Sequence, residues 1–132
     1  MAADIKNRED IDRLIADFYS VVMDDPMIGH HFVGLDLPSH LPVISAFWEK
    51  AIFQNPVYFG NPLAVHQMLA DRSPLTPEHF ARWVTLFIAS IDRLFKGEIA
   101  EKTKYQARMI ADSLNQRINQ DQRFAGINGL TR

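Results

Sequence analysis

Apolar residues recur at helical spacing along almost the whole chain, and polar or breaking residues divide that pattern into a succession of helices. Asn7 precedes Arg8-Glu9-Asp10, a cap followed by first-turn acids, and Ile11, Leu14, Ile15, Phe18 and Val22 then fall on one face. Asp24-Asp25-Pro26 ends that helix. Met27 to Leu37 reads as a connector in which His30, His31 and Phe32 are bulky residues between Gly29 and Gly34. Ser39 is the predicted cap of the next helix, with Pro42 in its first turn and Leu41, Ile44, Phe47, Trp48, Ala51 and Ile52 as its apolar stripe.

Gln54 to Gly60 is a turn-rich break. Asn61-Pro62, a cap and a first helical proline, predict a short helix that carries His66. Arg72 to Leu75 reads as a loop. Thr76-Pro77-Glu78-His79 has the same start chemistry and opens a long helix striped by Phe80, Trp83, Val84, Phe87, Ile88, Ile91, Leu94 and Phe95, with Gly97 as its stop. Ile99, Thr103, Ala107, Ile110, Leu114 and Ile118 mark a last helix, and residues 121–132 have the weak periodicity of a frayed tail. No strand-like alternation, repeat or linker interrupts the pattern. The expectation is one all-α domain spanning residues 1–132.

Composition narrows what such a domain does. At 132 residues and 47% hydrophobic, the chain suits a single packed core. Cysteine is absent, which excludes disulfides, thiolate nucleophiles and thiolate metal sites and suits a reducing cytoplasm. A net charge of -2 without a basic stripe argues against nucleic acid as a partner. No apolar run approaches the roughly 20 residues that cross a bilayer, and the first residues lack the basic and apolar regions of a signal peptide. A cytoplasmic protein is expected.

The motifs of common enzymes are missing. There is no Gly-rich phosphate loop, no Ser or Cys nucleophile motif, no Glu-x-x-His pair of a di-iron bundle and no His-Glu-x-x-His zinc motif. Histidines and aromatics remain. His79 falls in a first turn and reads as exposed; His30 and His31 are adjacent in a connector, poorly placed to share one metal, and read as a turn packed near Phe32. His66 differs, being flanked by apolar residues on a capped helix. A histidine in that setting is either a packed core residue or an axial ligand to iron. Phe18-Tyr19, Phe47-Trp48, Phe80, Trp83 and Phe87 would supply the flat apolar walls that a haem needs, or would simply pack one another.

The order of these residues resembles a known family. Phe18-Tyr19, His30-His31-Phe32, His40 followed by Phe47-Trp48, Tyr58-x-Gly60-x-Pro62-Leu63-x-x-His66 and His79-Phe80-x-x-Trp83-x-x-Leu86-Phe87 are similar to the truncated haemoglobins, most of all to their third group, or class P. The similarity runs from about Ile11 to Leu114, and the paired glycine motifs that the third group lacks are absent here too. The resemblance implies a globin-like two-over-two helical sandwich around haem b. It matches His66 to the proximal iron ligand, Tyr19, His40 and Trp83 to the distal residues that meet a diatomic ligand, and Phe32 to the pocket phenylalanine. Ile44, one turn beyond His40, and Trp48, a turn further, would continue the distal wall, with Leu63, Phe80 and Phe87 as further cofactor contacts. Tyr58 and Arg72 are the expected partners of the haem carboxylates.

The chemistry of these residue types agrees with that assignment. The second ring nitrogen of His66 can reach a backbone carbonyl one turn back, near Pro62, where no carboxylate stands to give a peroxidase-like push. Tyr19 and Trp83 carry O–H and N–H donors suited to the negative charge on bound dioxygen. The expected function is reversible binding of dioxygen and other diatomic gases. Detoxification of nitric oxide or peroxide with electrons from a separate reductase is the second reading, since no flavin or nicotinamide motif is present, and a haem-free helical interaction module is the third.

Overall fold

The computed structural model describes residues 2–120, so the expected fraying of 121–132 lies outside the described residues. Five α-helices follow in order: α1 (Arg8–Val22), α2 (Leu37–Phe53), α3 (Pro62–Arg72), α4 (Pro77–Leu94) and α5 (Glu98–Asn115). A 3-10 turn, Gly29–Phe32, sits in the connector after α1, and α5 runs into a π turn, Gln116–Gln120. Helix α1 packs against α2, α4 against α5, and the pairs meet through α1 on α4 and α2 on α5, giving two helices over two. Helix α3 stands apart from these layers and meets chiefly the π turn. That separation opens the space between α3 and the rest of the molecule.

Local chemistry explains most of the boundaries. The Asn7 side chain accepts the Asp10 N–H at 3.0 Å and starts α1. Asn61 does the same for α3 with Ala64 N–H at 3.1 Å. Two starts differ from the sequence reading. Helix α2 begins at Leu37 with Asp36 as its flanking residue, so Pro42 lies inside the helix and Ser39 donates its hydroxyl to the Asp36 carboxylate at 2.8 Å. Pro38 in the first turn tolerates the earlier start, because its missing N–H is an orphan there. The carbonyl of Pro42 instead accepts from Arg8 Nη2 at 3.1 Å, tying α2 to α1.

Gly97 belongs to the start of α5, while Phe95 closes α4. Its φ of +148° is a conformation that favours glycine, and a Cβ there would lie 2.5 Å from the Asp4 carboxyl carbon. Asp4 reaches in from the N-terminal arm and accepts the N–H groups of Ile99 and Ala100, both at 2.8 Å, so a carboxylate distant in sequence caps this helix. Those backbone bonds hold Asp4 below its ordinary pKa against the opposing effect of burial.

The core runs through the aromatic stripes. Trp48 of α2 stacks on Phe87 of α4 with ring centroids 4.9 Å apart, and Phe87 stacks on Trp83 at 5.0 Å. Phe18 of α1 meets the edges of Phe87 and Trp83 at 5.2 and 5.9 Å. These rings pack one another, and Phe18, Phe47, Trp48, Phe80, Trp83 and Phe87 also line the cavity described below.

An ion pair between a buried carboxylate and a partly exposed guanidinium fixes the connector to α4. The Asp25 side chain is 3% exposed, and its Oδ1 accepts from Arg82 Nη2 and Nε at 2.7 and 3.0 Å. Its Oδ2 accepts the Met27 and Ile28 N–H groups at 3.0 and 3.1 Å. The Arg82 guanidinium is the main reason why the carboxyl sits below its usual pKa, burial opposing it and the backbone donors adding to it. A carboxylate depressed in the folded state contributes stability above its unfolded pKa of about 3.9, and loses it as pH falls through the folded value. Asp25→Asn should therefore lower the thermal midpoint at neutral pH and flatten its decline below about pH 4. Thermal unfolding of both proteins across pH checks this, and parallel acid limbs would contradict it.

Candidate functional site

A cavity of about 510 Å³ lies between α3 and the rest of the fold, a volume within the usual range for small-molecule and cofactor sites. Its lining is mostly apolar and comes from all five helices and the connector. Pro62, Val65, His66 and Leu69 fall at helical spacing along α3 and form one wall, with Arg72 at the end. Val65 and Met68 keep 56% and 61% of their surface accessible, and Val43 on α2 keeps 51%, so apolar lining residues of α2 and α3 reach the surface. Exposed apolar residues at a cavity edge mark a ligand-binding groove.

His66 is half-buried in this wall, and its Nδ1 lies 2.7 Å from the Pro62 carbonyl. A carbonyl oxygen only accepts, so Nδ1 carries the proton and donates it. In the neutral ring Nε2 then keeps its lone pair, which is the tautomer a metal ligand requires. Among the described residues no hydrogen-bond partner engages Nε2. The partner foreseen near Pro62 is thus the Pro62 carbonyl itself, a neutral group.

Tyr19 on α1 and His40 on α2 line another part of the cavity and are bonded to each other, with Tyr19 Oη 2.9 Å from His40 Nε2. Burial pushes the Tyr19 phenol well above its ordinary range and pulls the His40 imidazole below its own. Both groups are therefore neutral near pH 7. Phe32 presents its edge to the Tyr19 ring at 5.5 Å, and Leu35 lies with it at the connector end. Trp83, Ile44, Trp48 and Phe87 also line the cavity, as do Phe80, Tyr58 and Arg72. Tyr58 sits against Phe47 with centroids 5.3 Å apart, and burial raises its phenol pKa.

Three residues are placed differently from their sequence reading. Leu63 is absent from the lining and packs, partly buried, against the cluster of Ala70, Leu75, Phe80, Ala111 and Ile118. It sits three residues before His66 but on the helix flank that meets this second cluster. His79 is half-buried rather than exposed: its Nδ1 accepts the Thr76 N–H at 3.1 Å while Thr76 Oγ1 accepts the His79 N–H at 3.3 Å. This is a capping box with histidine in the position usually held by Glu or Gln. His31 is drawn into the lining too, its Nε2 donating to the Pro74 carbonyl at 3.0 Å.

Sequence reasoning missed Val65, Met68 and Leu69 as wall residues, although their spacing around His66 held the signal. It also missed Ile110, Ala111 and Leu114 of α5, whose stripe was legible while the direction it faces was not. Among the described residues no group of three His, Asp or Glu side chains is arranged to hold a metal ion, and no helix is long and apolar enough to cross a membrane. The lining combines one lone-pair imidazole nitrogen, an apolar slot, the neutral Tyr19 and His40 pair and the Arg72 guanidinium, a set that fits a ligand bringing its own metal.

Comparison with known proteins agrees with this architecture. The group 3 truncated haemoglobin ctb of Campylobacter jejuni is 30% identical over 111 residues, which span 80% of this chain and 85% of that protein. The crystal structure of group III truncated haemoglobin from Campylobacter jejuni matches with a TM-score of 0.80 at 27% sequence identity, covering 89% of this chain and 95% of that one. No protein-family profile matches the chain.

Proposed function

The chain belongs to the group III truncated haemoglobins, and from that membership we propose that it holds haem b through His66 and reversibly binds dioxygen and other diatomic gases beside Tyr19, His40 and Trp83. The observation that carries this reading is the His66 tautomer, fixed by the Pro62 carbonyl so that Nε2 offers its lone pair at an apolar cavity. When bound, haem supplies a ferrous centre with one position for a diatomic gas.

The chain's own residues supply the rest. Phe32, Ile44, Trp48 and Phe87 keep the pocket apolar and limit water. Trp83 Nε1–H can only donate. Tyr19 has two arrangements with His40. If its hydroxyl donates to a lone pair on His40 Nε2, its proton is committed. If Nε2–H donates to the phenol oxygen, the Tyr19 proton is free to turn to a ligand and is polarised by the bond it receives. The second arrangement makes Tyr19 the stabilising donor, and His40 selects it by holding its own proton on Nε2.

The neutral Pro62 carbonyl behind His66 favours gas binding over peroxide chemistry, because it lends the ring less basicity than a carboxylate would. Detoxification of nitric oxide would draw electrons from a separate reductase. Cytoplasmic residence completes the reading, in line with the absence of cysteine. The test is optical. The reduced, haem-loaded protein should cycle between two spectra as dioxygen is admitted and swept out with argon. Immediate irreversible oxidation, or one unchanged spectrum, would count against reversible binding.

A further inference from the structure

Three imidazoles meet where the connector after α1 approaches the start of α4. The His30 and His31 rings are 4.0 Å apart, and His79 lies 4.8 Å from His31 and 5.7 Å from His30. His31 and His79 line the cavity, as does Arg72, while His30 faces solvent. Arg72 and His79 flank the short loop between α3 and α4, and His31 holds that loop through the Pro74 carbonyl.

The nitrogens at this edge are committed in a way that decides what it can bind. His31 spends its Nε2–H on Pro74. His79 Nδ1 accepts a backbone N–H, so in the neutral ring the proton resides on Nε2, which is a donor. A metal at that Nε2 would require a ring with no proton on either nitrogen, so a cation is a poor occupant. Arg72 brings guanidinium donors to the same lining. The edge of a largely apolar cavity thus presents donors and a fixed positive charge, the chemistry that recognises a carboxylate.

We propose that His79 and Arg72 together anchor one carboxylate of the bound porphyrin. The assignment rests on the haem reading above and gives His79 a ligand-binding role beside its capping one. Tyr58 lies elsewhere in the lining, beside Phe47, Lys50 and Pro62, and serves no part of this anchor.

The two roles of His79 can be separated by His79→Glu. Glutamate is an ordinary partner at this capping-box position, so the helix start is kept while a donor becomes a repelling carboxylate. The measurement is the rate of haem loss to an excess of acceptor apoglobin, for ferric haem and for its dimethyl ester, which has no carboxylates. The ferric haem of His79→Glu should leave about tenfold to hundredfold faster than that of the wild type. The ester should leave both proteins at the same rate, and the apoprotein should unfold at or above the wild-type temperature. Arg72→Gln should show the same selectivity. Unchanged loss of haem, or equal acceleration for haem and ester, would overturn the anchor. A wild type that takes up neither porphyrin would sink the haem reading, and the anchor with it.

Discussion

His66→Ala should abolish stable haem binding while leaving the apoprotein folded. Removing a residue that merely orients a metal ligand costs about 10- to 100-fold in affinity, so removing the ligand itself should exceed that. The loss should be specific, because α3 packs mainly on the π turn and the large aromatic core lies between α1, α2 and α4. Added imidazole should occupy the space left by the side chain and partly restore the ferrous spectrum. Circular dichroism with and without haem separates loss of the ligand from loss of the fold. A variant with wild-type haem affinity and an unchanged ferrous spectrum would remove His66 from its role.

The second large effect concerns the dioxygen dissociation rate. Tyr19→Phe and Trp83→Phe remove a donor each while keeping aromatic bulk, so the stacking of Trp83 on Phe87 and the packing of Tyr19 on Phe32 are largely preserved. Each lost hydrogen bond to a partly charged ligand should cost about 1.5–3 kcal/mol, or roughly tenfold to hundredfold in rate. Carbon monoxide, with less negative charge on its outer atom, should respond less. The double variant should be non-additive if both donors meet one ligand atom. His40→Ala adds a discriminating arm, because Tyr19 and His40 share a hydrogen bond. It should alter ligand access rates more than haem affinity. Dioxygen dissociation unchanged in both Tyr19→Phe and Trp83→Phe would exclude them as the stabilising pair.

The sequence made most of the helices legible because their starts carry local chemistry. Asn7, Asn61 and Thr76 bond to N–H groups three residues on, and the apolar stripes that follow keep one period. What stayed hidden depends on contacts between distant segments. The start of α5 is capped by Asp4 across most of the chain, which moved Gly97 from the end of one helix to the head of the next. Two prolines so close together in α2 obscured a start that lies before both of them.

The site divides along the same line. The bond of His66 to the carbonyl one turn back was legible because both residues lie on one short helix with a local cap. The bond between Tyr19 and His40 joins two helices, and the meeting of His31 and His79 joins a connector to a helix start. Neither has a signature in local spacing. Leu63 meets the second cluster, a packing between α3 and residues of α4 and α5 that spacing around His66 does not reveal.

Titration of the apoprotein with ferric haem, followed by reduction and recording of the spectrum, tests the central claim most directly. The account predicts a sharp end point at one haem per chain and a ferrous form with a single neutral histidine ligand that shifts reversibly on exposure to dioxygen. Haem that associates without a stoichiometric end point, or a ferrous spectrum insensitive to dioxygen, would contradict it.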